Sequence, residues 1–218
     1  MKANLTIAVL GSTGATGVAV VRHALESGHN VRALARTPEK LNVKHSKLEI
    51  VTGNANDLNI VTALLTGCDA VISTLGPGFD KDAARNMVST SATRNVIQAM
   101  KQLGLDRYIV MSGASVVMPG DRPTSFANLV TRYIFPFLLG DILRDKYSEY
   151  ELLKNSDLNW TLVRCPRLWE TDTVSNILIN KTMHKTFGVE KEQLAEFLVS
   201  QATSDQFFRQ GIFACSQS

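Results

Sequence analysis

Short apolar runs rich in β-branched residues alternate with longer amphipathic stretches along most of this 218-residue chain. Such runs are typical of buried strands, whereas apolar positions that recur every three or four residues indicate one face of a helix. The first amphipathic stretch carries Val18, Val21 and Leu25 on one face and stops at Ser27 and Gly28. On this basis we predict a helix there, further helices over 57–65 and 84–103, and strands over 5–10, 31–35, 48–51, 70–75, 108–111 and 160–163.

This alternation of strands and helices predicts the fold class. Parallel strands need crossovers that return over the sheet, and such crossovers are almost always right-handed. The pattern therefore predicts an α/β fold with a doubly wound parallel sheet covered by helices on both faces. Toward the C-terminus we predict a strand over 177–180, a helix over 190–201 and a short strand over 212–215.

No linker or repeat sets the C-terminal part of the chain apart. This favours a single domain over 1–218, with residues about 1–155 as a dinucleotide-binding core and about 156–218 as a small C-terminal, acceptor-binding lobe. The pattern is less regular between 117 and 144, which contains the bulky apolar run 133–139. This run is either a buried helix entrance that Pro136 ends or kinks, or a lid or oligomer face over the cleft.

Composition and charge exclude several classes of protein. With 44% hydrophobic and 20% charged residues, the chain has the apolar side chains that disordered and fibrous proteins lack. A net charge of +3 without a long block of like charges gives no reason to expect nucleic acid as a partner. The N-terminal apolar run is too short for a signal peptide, and no stretch approaches the ~18 apolar residues of a membrane span. We therefore expect a cytoplasmic protein with no membrane partner.

The cysteines and histidines are scattered along the chain. Cys68, Cys165 and Cys215 form no C-x-x-C pair, and no cluster of His and Cys has the spacing of a metal site. We expect no metal, and we expect the cysteines to be reduced and buried. The four histidines are expected at the surface or at helix ends, with His184 the one most worth testing.

The first predicted strand is followed by a glycine-rich turn, Gly11-Ser-Thr-Gly14-Ala-Thr-Gly17, and then by the first predicted helix. In such a turn one glycine permits a sharp bend, one lets the backbone approach a pyrophosphate, and one lets the helix pack closely on the sheet. The exposed N–H groups and the positive helix end favour a phosphate, to which Thr13 and Thr16 can add hydroxyl donors. The position between strand and helix predicts the dinucleotide-binding turn of a Rossmann-like fold.

The end of the second strand indicates which dinucleotide is preferred. An acidic residue there accepts hydrogen bonds from the ribose of NAD, whereas an arginine holds the 2′-phosphate of NADP. This chain has Arg36, followed by Thr37 and Lys40. We therefore predict NADP(H) in preference to NAD(H), the alternative being that Arg36 is a solvated surface residue.

Two loops after later strands are further candidates for cofactor contacts, because ligands of open α/β sheets collect at the carboxyl ends of the strands. Asn54 and Ala55 follow the third strand and would border the adenine. Leu75 and Gly76 follow the fourth strand and would approach the ribose and the nicotinamide. The alternative in each case is an ordinary connecting loop.

Six segments together carry a family resemblance: VLGSTGATG, ALARTPEKL, IVTGNANDL, AVISTLG, RYIVMSGAS and ELLKNSDLNWTLVRCPRL. Over nearly its whole length the chain resembles the atypical short-chain dehydrogenases/reductases, and within them the NmrA-like and flavin (biliverdin) reductase-like NAD(P)H-binding proteins. Asn54 replaces the Asp that is common in the family. The resemblance and the loops above imply cofactor contacts from Gly11, Thr13, Gly14, Ala15, Thr16, Gly17, Arg36, Lys40, Asn54, Ala55, Leu75, Gly76, Ser112 and the turn Cys165-Pro166-Arg167.

The resemblance also bears on catalysis. Reductive members of the wider superfamily use Ser, Tyr and Lys, with the Tyr four residues before the Lys so that it can pass a proton. Lys146 lies at the Lys position, but Ile142 lies four residues before it. Ser112 is the candidate serine, with Gly113 as an alternative occupant of that position. The candidate catalytic residues are therefore Ser112, which would polarise the acceptor or the carboxamide, and Lys146, which would orient the ribose.

The missing Tyr favours one type of reaction. Carbonyl reduction needs a proton donor at the carbonyl oxygen, whereas hydride transfer to a flavin or quinone can take its proton from water. We therefore predict an NADPH-dependent oxidoreductase that passes hydride to a small flavin-like, quinone-like or similar aromatic acceptor. The alternative is a non-catalytic, NADP(H)-sensing NmrA-like protein with a regulatory protein partner. A homodimer is compatible with both, and a nucleotide-sugar epimerase or dehydratase is a weaker alternative.

Overall fold

Ten strands and six helices form within residues 4–77, 80–121, 135–169, 177–180 and 188–216, the ranges that the computed structural model describes. The strands are β1 (Thr6–Leu10), β2 (Asn30–Ala35), β3 (Leu48–Thr52), β4 (Ala70–Ser73), β5 (Arg107–Gly113), β6 (Asn159–Cys165), β7 (Arg167–Trp169), β8 (Ile177–Asn180), β9 (Gly188–Glu190) and β10 (Gln210–Ser216). The helices are α1 (Ala15–Glu26), α2 (Leu58–Leu65), α3 (Lys81–Arg85), α4 (Val88–Leu103), α5 (Phe135–Lys154) and α6 (Lys191–Ser200), with a short 3-10 turn at Pro38–Lys40.

Eight of these strands form one sheet in the order β3-β2-β1-β4-β5-β6-β10-β8. All neighbours are parallel except the last pair, in which β8 runs antiparallel to β10. The strand order reverses beside β1, because β2 lies on one side of it and β4 on the other. This confirms the predicted doubly wound, Rossmann-like α/β fold and places a ligand crevice at the carboxyl ends of β1 and β4.

Alternate residues of each strand face opposite sides of the sheet, and both sides are covered. Ile7 and Val9 of β1 belong to one apolar layer, which α1 and α6 complete. Ala8 and Leu10 belong to the other, which α2, α4 and α5 complete. Strands buried on both faces lack a polar side, which is why they are continuous apolar runs in the sequence.

The helix predicted over 84–103 is divided in the structure, and that part of the prediction was wrong. Met87 adopts a left-handed conformation, with φ 52° and ψ 47°, between α3 and α4. This conformation is uncommon for a residue with a Cβ, so periodicity alone does not reveal it. The amino end of α4 is then capped by Asp145 of α5, which accepts from the backbone N–H groups of Ser89 and Thr90, both at 2.9 Å.

The start of α5 bears on the irregular segment 117–144. Pro136 lies in the first turn of α5, where a missing N–H is tolerated. The bend in the helix lies at Leu139, whose φ of −124° and ψ of 23° are not helical. Residues 122–134, which include the first two positions of the apolar run 133–139, lie outside the described residues, and the lid or oligomer face that the sequence also allowed stays a prediction. Among the helices that the structure describes, none combines the length and apolar character needed to cross a membrane.

Candidate functional site

The glycine turn joins β1 to α1, and neighbouring atoms leave no room for a side chain at Gly11 or Gly17. Gly11 has a φ of +77°, and a Cβ on it would lie 2.7 Å from Oγ1 of Thr74. A Cβ on Gly17 would lie 2.0 Å from the carbonyl oxygen of Gly11. Real Cβ atoms do not approach this closely, so the tight bend and the close helix each require glycine.

The amino end of α1 is open, unlike those of the neighbouring helices. Asp57, Asp80 and Glu190 cap α2, α3 and α6 through hydrogen bonds from their own carboxylates. Gly14 begins α1 without a side-chain cap, and the first turn of α1 contains no acidic residue. Gly14 and Ala15 are both exposed. The positive end of α1 is therefore available to an external anion such as a phosphate.

A hydroxyl that the sequence reasoning did not single out fixes the glycine turn. Ser12 is fully buried, and its Oγ donates to the carbonyl oxygen of Leu34 in β2 at 2.6 Å. This bond holds the turn against the strand whose end carries Arg36. Thr16 is buried and Thr13 is half-buried, so Thr13 is the more accessible of the two predicted hydroxyl donors.

Arg36 follows directly after the last residue of β2, as predicted, and it is exposed. It forms no hydrogen bond or ion pair within the described part of the chain. By contrast Arg32, in the same strand, binds Glu49 through two hydrogen bonds of 2.7 and 2.9 Å. Lys40 is exposed at the end of the 3-10 turn. The two cations at the edge of β2 are thus free to meet an anionic ligand.

The loop after β3 is held by its own polar groups. Asn54 is exposed, and its Oδ1 accepts from the backbone N–H of Asn56 at 3.1 Å. Ala55 is buried, and its carbonyl oxygen accepts from Asn95 of α4 at 2.9 Å. The loop therefore has a defined shape at the carboxyl edge of the sheet, on the same side of β1 as Arg36.

Lys146 of α5 reaches the carboxyl ends of two strands. Its Nζ donates to the carbonyl oxygen of Leu75 at 3.0 Å and to that of Met111 at 3.5 Å. A third hydrogen bond, of 2.8 Å, goes to Oε2 of Glu149. These partners occupy the three hydrogens of the ammonium group. Lys146 thus ties the segment after β4, which continues to the exposed Gly76, to the end of β5.

Ser112 lies next to Met111 at the end of β5 and is almost completely buried. Its hydroxyl has no hydrogen-bond partner among the described residues. Its carbonyl oxygen accepts from the thiol of Cys165, at 3.4 Å, in the neighbouring strand β6. Burial raises the pKa of that thiol to about 12. Buried hydroxyls are rarely left unpaired, so the Ser112 hydroxyl is an exception at this edge of the sheet.

The turn after β6 lies at the same edge of the sheet as the carboxyl ends of β4 and β5. Cys165 is buried, Pro166 is half-buried, and Arg167 is exposed at the start of β7. The backbone N–H of Ala114 donates to the carbonyl oxygen of Cys165 at 2.8 Å, which joins this turn to the end of β5. The structure therefore brings together the predicted residues after β4, β5 and β6.

The described tyrosines are engaged elsewhere. Ile142 is half-buried in α5, one turn before Lys146. Tyr150 packs edge-on against Trp160, with ring centroids 6.2 Å apart. The hydroxyl of Tyr147 accepts from the backbone N–H of a loop residue, Val117, at 3.0 Å. The remaining described tyrosine, in β5, is fully buried, and Tyr133 lies outside the described residues.

A buried polar cluster lies beneath Lys146, and the sequence reasoning missed it. Glu149 is fully buried, and its Oε1 accepts from the hydroxyl of Thr93 in α4 at 3.1 Å. The Thr93 hydroxyl also lies 3.1 Å from that of Tyr108. Burial raises the pKa of Glu149, and the charge of Lys146 partly opposes this effect. The three-residue spacing between Lys146 and Glu149 on one helix was the available signal.

Three cysteines and three of the four histidines lie within the described residues. All three cysteines are buried and free, as expected. His29 is buried after the end of α1, and its Nδ1 accepts from the backbone N–H of Leu5 at 3.2 Å. His184 lies outside the described residues. Within the described ranges, no group of three His, Cys, Asp or Glu residues could hold a metal ion.

Comparisons with known proteins agree with this geometry. A family model for NAD(P)H binding matches residues 11–205. A 3 beta-hydroxysteroid dehydrogenase/Delta 5→4-isomerase of Mycobacterium tuberculosis is 31% identical over 123 residues, covering 52% of this chain and 33% of that protein. A (4-alkanoyl-5-oxo-2,5-dihydrofuran-3-yl)methyl phosphate reductase of Streptomyces griseus is 28% identical over 169 residues, covering 78% of this chain and 50% of that protein.

The chain therefore spans half or less of the length of these two curated relatives. Among solved structures, a short-chain dehydrogenase/reductase of Veillonella parvula in complex with NADP superposes with a TM-score of 0.77. The two chains are 16% identical, and the match covers 97% of this chain and 94% of the other. At that identity the likeness shows the shared fold alone.

Proposed function

The chain belongs to the NAD(P)H-binding family, among the atypical short-chain dehydrogenases/reductases, and on that premise we propose that it is an NADPH-dependent reductase of small aromatic acceptors. Flavin-like and quinone-like molecules are the acceptors that fit best. The bound cofactor supplies the hydride, and the residues of this chain bind it, orient it and exclude water from it.

The residues at the crevice fit a dinucleotide phosphate. The cradle between Gly11 and Gly17, which a Cβ would fill, together with the uncapped start of α1, suits a pyrophosphate. The unpaired Arg36, with Lys40 nearby in sequence, suits the 2′-phosphate, because a guanidinium binds phosphate through two parallel hydrogen bonds. The remaining contacts, proposed from their order along the edge, are Thr13, Ala15 and Thr16 at the pyrophosphate, Asn54 and Ala55 at the adenine, and Leu75, Gly76, Ser112, Cys165 and Pro166 toward the nicotinamide.

The residue four positions before Lys146 supports a flavin or quinone as the acceptor in preference to a carbonyl compound. Ile142, not a tyrosine, lies four residues before Lys146, and the described Tyr147 and Tyr150 lie at other positions of the same helix. Reduction of a flavin or quinone takes one hydride and one proton, and water can supply that proton without a protein acid. Ser112 then polarises the acceptor or the carboxamide through its unpaired hydroxyl, and Lys146 orients the ribose through the backbone of Leu75.

A direct assay tests this proposal. The protein is mixed with NADPH and a panel of free flavins and quinones, and the loss of reduced-nicotinamide absorbance is followed against a protein-free background. We expect turnover with at least one acceptor, and we expect Arg36→Ala to weaken it at limiting NADPH. Tight NADPH binding without turnover on the whole panel would overturn the reductase and favour the NADP(H) sensor. Failure to bind either nicotinamide cofactor would overturn both.

A further inference from the structure

Lys146 and Glu149 form an ion pair in the interior, one helical turn apart in α5. Their side chains are 9% and 1% exposed, and Nζ lies 2.8 Å from Oε2. A buried charge without a partner is costly, so each residue depends on the other. The pair lies where α5 crosses the carboxyl ends of β4 and β5, because Lys146 also binds the backbone of Leu75 and Met111.

The pair is part of a hydrogen-bonded chain that runs from β5 to the segment after β4. The hydroxyl of Tyr108, in β5, lies 3.1 Å from that of Thr93 in α4. Thr93 donates to Glu149, Glu149 accepts from Lys146, and Lys146 binds Leu75, two residues beyond Ser73. Both carboxylate oxygens of Glu149 therefore have a donor, which is the condition for keeping a charge in the interior.

Other charged or titratable groups also face the pair. Asp145, on the same helix, adds a negative charge near Glu149. Cys165, in β6, feels the positive charge of Lys146, but burial keeps its thiol protonated. Tyr108 is likewise fully buried, and burial raises its pKa. Lys146 therefore hydrogen-bonds the carboxylate of Glu149, because the two carboxylate oxygens of Asp145 cap α4 instead.

We propose that Glu149 is a positioning residue: it holds the ammonium of Lys146 against the backbone of Leu75 and Met111, and so shapes the nicotinamide side of the cofactor site. This inference rests on the proposed binding of NADPH. Glu149 does not reach the cofactor itself, because it is fully buried and acts through Lys146. Its removal should therefore disturb one half of the dinucleotide site and leave the other half intact.

Two ligands separate the halves of the site. NADPH occupies both, whereas adenosine 2′,5′-bisphosphate carries the adenine and the 2′-phosphate but no nicotinamide. For Glu149→Gln we expect the dissociation constant of NADPH to rise about ten- to hundredfold, the range for one hydrogen bond to a charged group. The dissociation constant of the bisphosphate should stay within about twofold. Glu151→Gln, an exposed change on the same helix, is the matched control and should alter neither.

The outcomes distinguish this inference from the proposed function. If the unaltered protein does not bind NADPH, the proposed function fails. If it binds both ligands and Glu149→Gln weakens both equally, Glu149 supports the fold generally and the positioning role is wrong. The same conclusion follows if Glu149→Gln weakens neither ligand.

A second set of variants tests whether Glu149 acts through Lys146, and it remains informative if Glu149→Gln does not fold. Lys146→Met should give the same selective loss of NADPH binding. The double variant Lys146→Met with Glu149→Gln removes both charges, which interiors tolerate better than one unpaired charge. It should bind NADPH no more weakly than Lys146→Met alone, because the two changes disrupt the same contact. Additive losses, or equal losses for both ligands, would overturn the proposal.

Discussion

Arg164 and Asp121 form a bidentate ion pair in the interior of the protein. The two terminal nitrogens of Arg164 donate to the two carboxylate oxygens of Asp121 at 2.5 and 2.8 Å. The guanidinium also lies over the ring of Phe213, 3.9 Å from its centroid. Because Asp121 lies in the loop after β5 and Arg164 belongs to β6, the pair fastens that loop to the sheet.

Breaking this pair on one side should strongly destabilise the fold. Arg164→Met leaves the buried Asp121 carboxylate without its cationic partner and with the backbone N–H of Met118 as a remaining donor, and we expect a loss of about 3–5 kcal/mol in the free energy of unfolding. Urea denaturation measures this quantity. The double variant Arg164→Met with Asp121→Leu should recover a large part of the loss, since it leaves no isolated charge. A single variant within about 1 kcal/mol of the unaltered protein would contradict the structural role.

Arg36→Ala tests the 2′-phosphate assignment. Loss of a hydrogen bond to a charged group should cost NADPH binding about 1.5–3 kcal/mol and leave NADH nearly unaffected. Titration of both cofactors by fluorescence gives the two values. Arg94→Ala, which removes another exposed arginine from α4, is the control and should change neither. Equal losses for the two cofactors would rule out a contact with the 2′-phosphate.

Gly17→Ala tests the close packing of the glycine turn. The added Cβ would lie 2.0 Å from the carbonyl oxygen of Gly11, so the helix must shift. We expect a loss of about 1–3 kcal/mol in stability, the range for overpacking, together with weaker NADPH binding. In Gly14→Ala the Cβ would lie 3.4 Å from the same oxygen, an ordinary contact, so stability should stay within about 1 kcal/mol. Similar thermal midpoints for both variants would contradict this.

Ser112→Ala separates a functional hydroxyl from a structural one. Its Oγ has no partner among the described residues, so removal breaks no hydrogen bond and stability should change by less than about 1 kcal/mol. If the hydroxyl serves the acceptor or the carboxamide, kcat/KM should fall about tenfold or more. Ser89→Ala is the matched control, because its buried hydroxyl is also unpaired among the described residues and lies at the start of α4. Unchanged kcat/KM in Ser112→Ala would remove Ser112 from the site.

His29 should make stability depend on pH below neutrality. Burial lowers the pKa of His29 below its ordinary value of 6.5, and the charge of Lys47 adds to the effect. As the pH falls, the unfolded chain takes up a proton first, so the contribution is complete above pH 6.5 and is lost as the pH approaches the lower folded value.

The check is the free energy of unfolding between about pH 7.5 and about pH 5, compared for the unaltered protein and His29→Gln. The decline should be shallower in His29→Gln. His45→Gln, which changes an exposed histidine, should keep the original slope. Parallel curves for all three proteins would show that His29 does not contribute.

Much of the fold could be predicted because a parallel sheet buried on both faces leaves continuous apolar runs in the sequence. The predictions failed where backbone geometry depends on distant residues. The strand predicted over 70–75 ends at Ser73, and the backbone of the next two residues, Thr74 and Leu75, packs closely against Gly11. The small polar residues Ser112 and Gly113 extend β5 only because β6 pairs with them. The short pairing of β7 with β9 gave no periodic signal.

The candidate site divides in the same way. The glycine turn lies between a strand and a helix that are adjacent in sequence, and Arg36 directly follows a strand. The positions of both could therefore be predicted from the local sequence pattern. The partners of Lys146 could not, because Leu75 and Met111 come from other strands and meet it only when α5 docks. Asp145 likewise caps a helix that begins far from it in sequence.

The bond from Lys146 to Leu75 joins residues 71 positions apart, and it has a consequence for the order of synthesis. Contacts between residues far apart in sequence form late, because closing a long loop costs conformational entropy. In addition, a chain emerges from the ribosome with its N-terminus first. The glycine turn is therefore made long before the helix that secures the other half of the crevice. A nascent chain that ends before α5 carries the glycine turn without the contacts of Lys146, so full affinity for a dinucleotide should arise only once α5 has been synthesised.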